Sequence, residues 1–231
     1  MKILRKALKR THLDEAIHAF LLSVIKIILW IIVAVVVLAY LDIQIAPFVT
    51  VLAAAGAAVA LALKDSLGNI SGGILLLINK PFVKDDFVDI GGTTGKVDKI
   101  DMLVTTLKTL DNKVVTVPNG IITTSVITNY SREELRRVDC VFRIGYASAI
   151  GRAKDTILAV TEMNPLILRD PEPYIVLLSQ DEHAVNVSCY VWCKSADYWS
   201  VKYFLEENVK IAFDEANISV PYPQIDVHIV K

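Results

Sequence analysis

The spacing of apolar positions changes along this chain, and each change predicts a different kind of element. From about Ile17 to Leu41 the residues are almost continuously apolar. About 25 helical residues rising 1.5 Å each exceed the ~30 Å hydrocarbon core of a bilayer, which predicts a membrane-spanning helix. Lys26 and Trp30 lie inside it, and Lys26 is expected to snorkel toward the basic end. A short link, LDIQIAP, follows. Pro47 then stands where a second helix can start, since the first turn needs no N–H from it. The next stretch runs to Phe82, and its first half is apolar but stripped of bulk: Ala and Gly fill Ala53 to Ala58 and return at Ala60 and Ala62.

Lipid gives no reason to avoid leucine, whereas small residues let helix backbones approach closely inside a membrane. Gly56 and Ala58 are the candidate packing positions. At 100° per residue, Thr50, Ala54, Ala57, Leu61 and Lys64 fall within an arc of about 80°. Leu52, Val59 and Leu63 fall opposite. One stripe is narrow and mostly small, the other bulky. The stripe suits either an aqueous pore or an ordinary helix bundle. Lys64, Asp65 and Ser66 interrupt the apolar run, and charges there mark a water-filled path or an interface. Asp65 or Ser66 is expected to cap a second helix from Leu67 to about Asn79, too short to span again. With Gly72 and Gly73 on it, it is expected to lie along the interface or to pack on copies of itself. Asp65, Ser66, Gly72 and Gly73 form the candidate hinge, and Lys80 and Lys84 at its exit suit lipid headgroups or plain solvent.

From Asp86 the period falls to two. FVDIGGTTGKV, LVTTLKTLDNKVVTVPNG and SVITNYS are β-branched runs punctuated by Gly-Gly, Asp-Asn and Pro-Asn-Gly turns, which predict a small barrel of about five strands. After the charged connector SREELRR, strands alternate with amphipathic helices in the order βαββα, followed by a terminal strand QIDVHIV. That order predicts a ferredoxin-like α+β domain. The boundaries read as a basic N-terminus at 1–16, a first transmembrane helix and link at 17–46, and a pore-lining helix, kink and interfacial helix at 47–82. The β domain spans 83–131, the α+β domain 132–222 and the C-terminal strand 223–231.

Composition supports a membrane protein with a soluble part: 54% of the 231 residues are hydrophobic and mean hydropathy is +0.48. The formal net charge of −1 gives no support to nucleic-acid binding. MKILRKALKR holds five basic residues and no acidic one, which places the N-terminus, and after two spans everything beyond Lys64, in the cytoplasm. Cys189 and Cys193, four apart on a strand, share one face; with Cys140 they read as free thiols of a reducing compartment. The four histidines are scattered, no metal site or cofactor is implied, and no phosphate loop or nucleophile elbow is present. Asp85, Asp86 and Asp89 read as solvated carboxylates rather than a cation site.

The Ala/Gly-rich helix running into ALALKDSLGNISGGILLLINKPF, then DFVDIGGTTGKV, TTLKTLDNKVVTVPNG and NYSRE, resembles the small-conductance mechanosensitive channel family. The likeness runs from the first span to VPYPQIDVHI. It implies a bacterial or archaeal inner-membrane homoheptamer whose last transmembrane helix lines a pore for ions and small solutes, kinks, and continues along the membrane surface. It also implies an Sm-like β domain, an α/β domain forming a hollow cytoplasmic cage, and opening by membrane tension during hypo-osmotic shock. The chain departs from the pattern in three places. It shows two spans where well-studied members have three. Leu61 matches one of two leucine rings, and Ala57 stands where the other would be. Lys64–Asp65 replaces a frequent Gln-Gly pair. The competing reading, a membrane-anchored oligomeric scaffold or ligand-sensing module, would be expected to use ordinary Leu/Ile/Val tethers. An enzyme lacks any nucleophile, base or metal constellation.

Overall fold

The computed structural model describes residues 15–223, so residues 1–14 of the basic N-terminus and 224–231 of the predicted last strand lie outside the described residues. The chain divides into two compact units, one ending at Leu67 and the other beginning at Gly68. In the first, α1 (Glu15–Tyr40) contains Leu22–Tyr40, a stretch long and apolar enough to cross a membrane. Asp42 stops it in the left-handed region (φ 54°). Its N–H reaches Ala39 O at 3.3 Å and that of Ile43 reaches Leu38 O at 3.2 Å, the paired closing bonds of a Schellman end with Asp where Gly is usual.

Helix α2 (Ala46–Ala62) starts with Pro47 in its first turn, where a missing N–H costs nothing, and it has no buried residue. It ends at Leu63, whose backbone leaves the helical region (φ −95°, ψ 0°), and α3 (Lys64–Asn79) begins immediately. The break is therefore earlier than the residues read as its markers. Asp65 and Ser66 sit in the first turn of α3 rather than capping a helix from Leu67. The chain needs no such cap, because Leu63 keeps a bond into each helix: its N–H to Val59 O (3.0 Å) and its carbonyl to Leu67 N (2.9 Å).

The second unit holds two sheets. Strands β1 (Phe87–Ile90), β2 (Thr93–Ile100), β3 (Val104–Lys108), β4 (Val114–Pro118) and β5 (Ile127–Asn129) form an antiparallel sheet in the order β4-β3-β2-β1-β5. Gly91 and Gly92, at φ 56° and 89°, make the β1–β2 turn in a region closed to most side chains. A one-turn helix, α4 (Asn119–Ile122), follows β4. Val88, Ile90, Val97, Leu107 and Ile122 close on Leu76 of α3 and Phe82 to make one core.

The α+β part runs β6 (Leu135–Ile144), α5 (Ile150–Met163), β7 (Tyr174–Gln180), β8 (Val185–Lys194) and α6 (Tyr198–Glu215). Its sheet has the order β6-β8-β7, all antiparallel, with β6 and β8 paired over ten residues. The alternation of β6 puts Val138, Cys140, Phe142 and Ile144 in a core with Ile157 of α5 and Val201, Leu205 and Phe213 of α6. Asn217 (φ 52°) closes α6 as Asp42 closes α1, and Ile218 and Phe213 join that core.

Candidate functional site

Within the first unit, Thr50, Ala54, Ala57 and Leu61 lie on one α2 stripe, and every residue of α2 is exposed in the single subunit. The Thr50 hydroxyl donates to Ala46 O at 2.9 Å, so a polar group sits near the start of the stripe without an unpaired proton. Leu61 is 74% exposed, the one bulky member of the stripe. Lys64 opens α3, beyond the break, so the straight wheel does not carry through to it. Gly56 has nothing within 4 Å of an added Cβ, leaving its face open to a neighbouring helix. An apolar helix with no buried side chain requires lipid or other copies to cover it.

The second unit shows what Gly72 and Gly73 do. They do not interrupt α3, which is continuous through them. Both are buried, against α4 and the turn between β2 and β3. A Cβ on Gly72 would meet Asn119 C and O at 2.7 Å, and one on Gly73 would meet Met102 O at 2.5 Å. They are close-approach positions, not hinge points. Beside them the Asn69 side chain accepts from Gly120 N at 2.8 Å. Asn119 is fully buried. Its Nδ2 donates to Asp101 O (2.9 Å) and Met102 O (3.2 Å), and its Oδ1 accepts from Thr105 Oγ1 (2.8 Å). Asn119 thus uses its whole amide to shape the surface on which α3 lies. Sequence reasoning missed Asn69 and Asn119. The available signal was the spacing i, i+3, i+4, i+7 of Asn69, Gly72, Gly73 and Leu76, one helical face turned to a partner.

The remaining candidates have local duties. Asp85 pairs with Lys96 at 2.7 Å, and that bond and charge hold its carboxyl below the usual range. Asp86 accepts from Val83 N and Asn129 Nδ2, and Asp89 from Gly92 N and Thr94 Oγ1. Among the described residues no three His, Cys, Asp or Glu side chains are grouped to hold a metal. Cys140, Cys189 and Cys193 are free and buried. Burial pushes the first two thiols up to about 12, with Glu206 adding to the effect at Cys140 and Cys140 to that at Cys189.

Comparison with known proteins then decides the family. Residues 23–64 match the profile described as mechanosensitive ion channel, transmembrane helices 2/3; residues 65–132 match its beta-domain, and residues 138–220 the MscS C-terminal profile. An MscS family protein of Synechocystis is 35% identical over 230 residues, covering 100% of this chain and 78% of the relative. The chain belongs to the mechanosensitive ion channel (MscS) family. A small-conductance mechanosensitive channel of Edwardsiella ictaluri is 42% identical over 178 residues, 77% of this chain and 62% of that protein. The crystal structure of Helicobacter pylori MscS in its closed state superposes with a TM-score of 0.89 at 32% identity, covering 100% of this chain and 90% of that one. The fold is that of a membrane protein of this family. The beta-domain profile starts at residue 65 and so takes in α3, the helix that Gly72 and Gly73 seat on the sheet.

Proposed function

We propose that this chain forms a channel opened by membrane tension, releasing ions and small solutes during hypo-osmotic shock. In this reading several copies, seven by family likeness, surround one pore in the inner membrane, with the second unit in the cytoplasm. Thr50, Ala54, Ala57 and Leu61 line that pore, Lys64 follows at its cytoplasmic end, and Gly56 and Ala58 let neighbouring helices approach. Leu61 forms the main constriction, because a narrow apolar ring expels water and blocks ions without plugging the pore. The observation that carries the reading is the α2 stripe: small residues throughout, one exposed leucine, and no side chain buried within its own subunit. A tether for a scaffold has no use for such a stripe.

The test is patch-clamp recording of the purified chain in liposomes under graded suction. Wild type is expected to conduct only above a tension threshold. Leu61→Ser is expected to wet the constriction and open at lower tension. Absence of current at any tension would favour the scaffold; an unchanged threshold in Leu61→Ser would place the gate elsewhere.

A further inference from the structure

The connection between the two sheets of the second unit is held far more firmly than a tether requires. Only residues 130–134 separate β5 from β6, and links of this kind are ordinarily exposed and loosely held. Here the Arg136 guanidinium lies between two aromatic rings, its Cζ 4.6 Å from the centroid of Tyr130 and 3.5 Å from that of Tyr198. Tyr130 directly follows β5 of one domain, and Tyr198 opens α6 of the other. The same segment grips the end of α3. Arg132 Nη1 donates to Lys80 O and Pro81 O, both at 3.4 Å, and Asn129 Nδ2 donates to Pro81 O at 3.2 Å. Asn129 Oδ1 accepts from the N–H groups of Ser131 and Arg132, and Ser131 Oγ accepts from Phe87 N at 2.9 Å. On the far side Ser195 donates twice, Oγ to Glu133 O (2.6 Å) and N to Glu134 O (2.8 Å).

We infer that Arg136 is a coupling residue of the channel: clamped between Tyr130 and Tyr198, it locks the α+β body to the β domain. With Arg132 on the exit of α3, it makes one lever from α6 to the helix that continues the pore helix. The inference rests on the channel reading above. A planar guanidinium presents a face to each ring at once, which an ammonium does not, so lysine keeps the charge and loses the clamp. Phenylalanine at 198 keeps the ring face. A load on the α+β body then reaches α3 without being absorbed in the link.

The experiment uses the full chain with spin labels at Val114→Cys and Met163→Cys, both exposed positions, in assemblies diluted with unlabelled chain. The native thiols are buried and stay unlabelled. Wild type and Tyr198→Phe are expected to give one narrow distance distribution, Arg136→Lys and Tyr198→Leu a distribution at least about twice as broad, since a five-residue link alone permits it. Recorded in the same liposomes at fixed suction, Arg136→Lys and Tyr198→Leu are expected to change mean open time at least threefold, with conductance unchanged, and Tyr198→Phe to match wild type. A narrow distribution in Arg136→Lys overturns the clamp. A broad one with wild-type open times overturns the coupling and leaves Arg136 a structural residue. Wild type without current overturns the channel reading and the coupling together, while the distances still decide whether the clamp exists.

Discussion

At the scale of single residues, the junction between α3 and the β sheet is held by what is missing as much as by what is present. Adding one methyl at Gly73 places it 2.5 Å from Met102 O and 2.7 Å from Asn119 Nδ2, so backbone must move. Gly73→Ala is expected to cost about 1–3 kcal/mol in denaturant unfolding, the usual penalty of overpacking. Gly68→Ala, on the same helix, meets nothing within 4 Å and is expected to gain up to about 1 kcal/mol from helix propensity. Equal effects would show that the close approach does not hold the helix. Glycine marks both freedom and close approach, and the sequence alone does not separate them, because the touching backbone belongs to a distant turn. The cysteines were more legible: strand spacing alone put Cys189 and Cys193 on one face, and both are in the core. Their neighbourhood has a pH consequence. Cys140 and Cys189 hold their protons to about 12 when folded, against an ordinary value of 9.0. Above about pH 9 the unfolded chain therefore releases protons that the folded chain keeps, and stability falls with rising pH by up to about 1.4 kcal/mol per unit for each thiol. Below that range the two contribute no slope. Urea unfolding in detergent from pH 7 to 10 should show the decline, and Cys140→Val should make it shallower; an identical slope would remove Cys140 as a cause.

At the scale of elements, period was the readable quantity. The switch from continuous apolar run to small-residue stripe to alternation located α1, α2 and the strands because each spacing is imposed by the geometry of its element. The break between α2 and α3 was readable only approximately. A polar triplet at Lys64–Asp65–Ser66 has the composition of a capped start, but Leu63 bridges the two helices through its own backbone bonds, and the triplet becomes an ordinary first turn. Asp65 there complements the positive end of the α3 dipole without capping it. The stripe on α2 yields its own prediction. Ala57 lies one turn before Leu61 on the same side, and it is too small to close a ring of several helices in the way proposed for Leu61. Ala57→Leu is expected to add a second apolar ring and raise the opening tension above wild type in the same liposomes, since a longer dry constriction is harder to wet. A threshold equal to wild type would mean that Ala57 faces away from the conduction path.

At the scale of the whole molecule, the two units place opposite demands on their surroundings. The second unit buries two hydrophobic cores of its own, one in the β domain with α3 and one in the α+β part. That division was legible from the change of period alone. Among the described side chains, the helices of the first unit bury almost nothing within the chain: α2 has no buried residue, and Ile28, Trp30, Val36 and Val51 are all more than half exposed. Sequence reveals that such helices need cover but not how many copies supply it, because the closing contacts lie between chains. Lipid covers an apolar face, whereas the alanine and glycine face of α2 gains from backbones that come close. Gly56 separates the two kinds of cover. In the single subunit an added side chain there meets nothing, so Gly56→Leu is expected to leave the helix content and the unfolding of the second unit unchanged. In the proposed assembly the same side chain would stand where a neighbouring α2 approaches. Wild type in mild detergent is therefore expected to scatter light as one large complex, and Gly56→Leu as smaller or heterogeneous ones. The helical circular-dichroism signal of the two should be the same. If Gly56→Leu assembles as wild type does, its face of α2 is covered by lipid, and close helix approach runs through another side, where Ala58 is the next residue to replace.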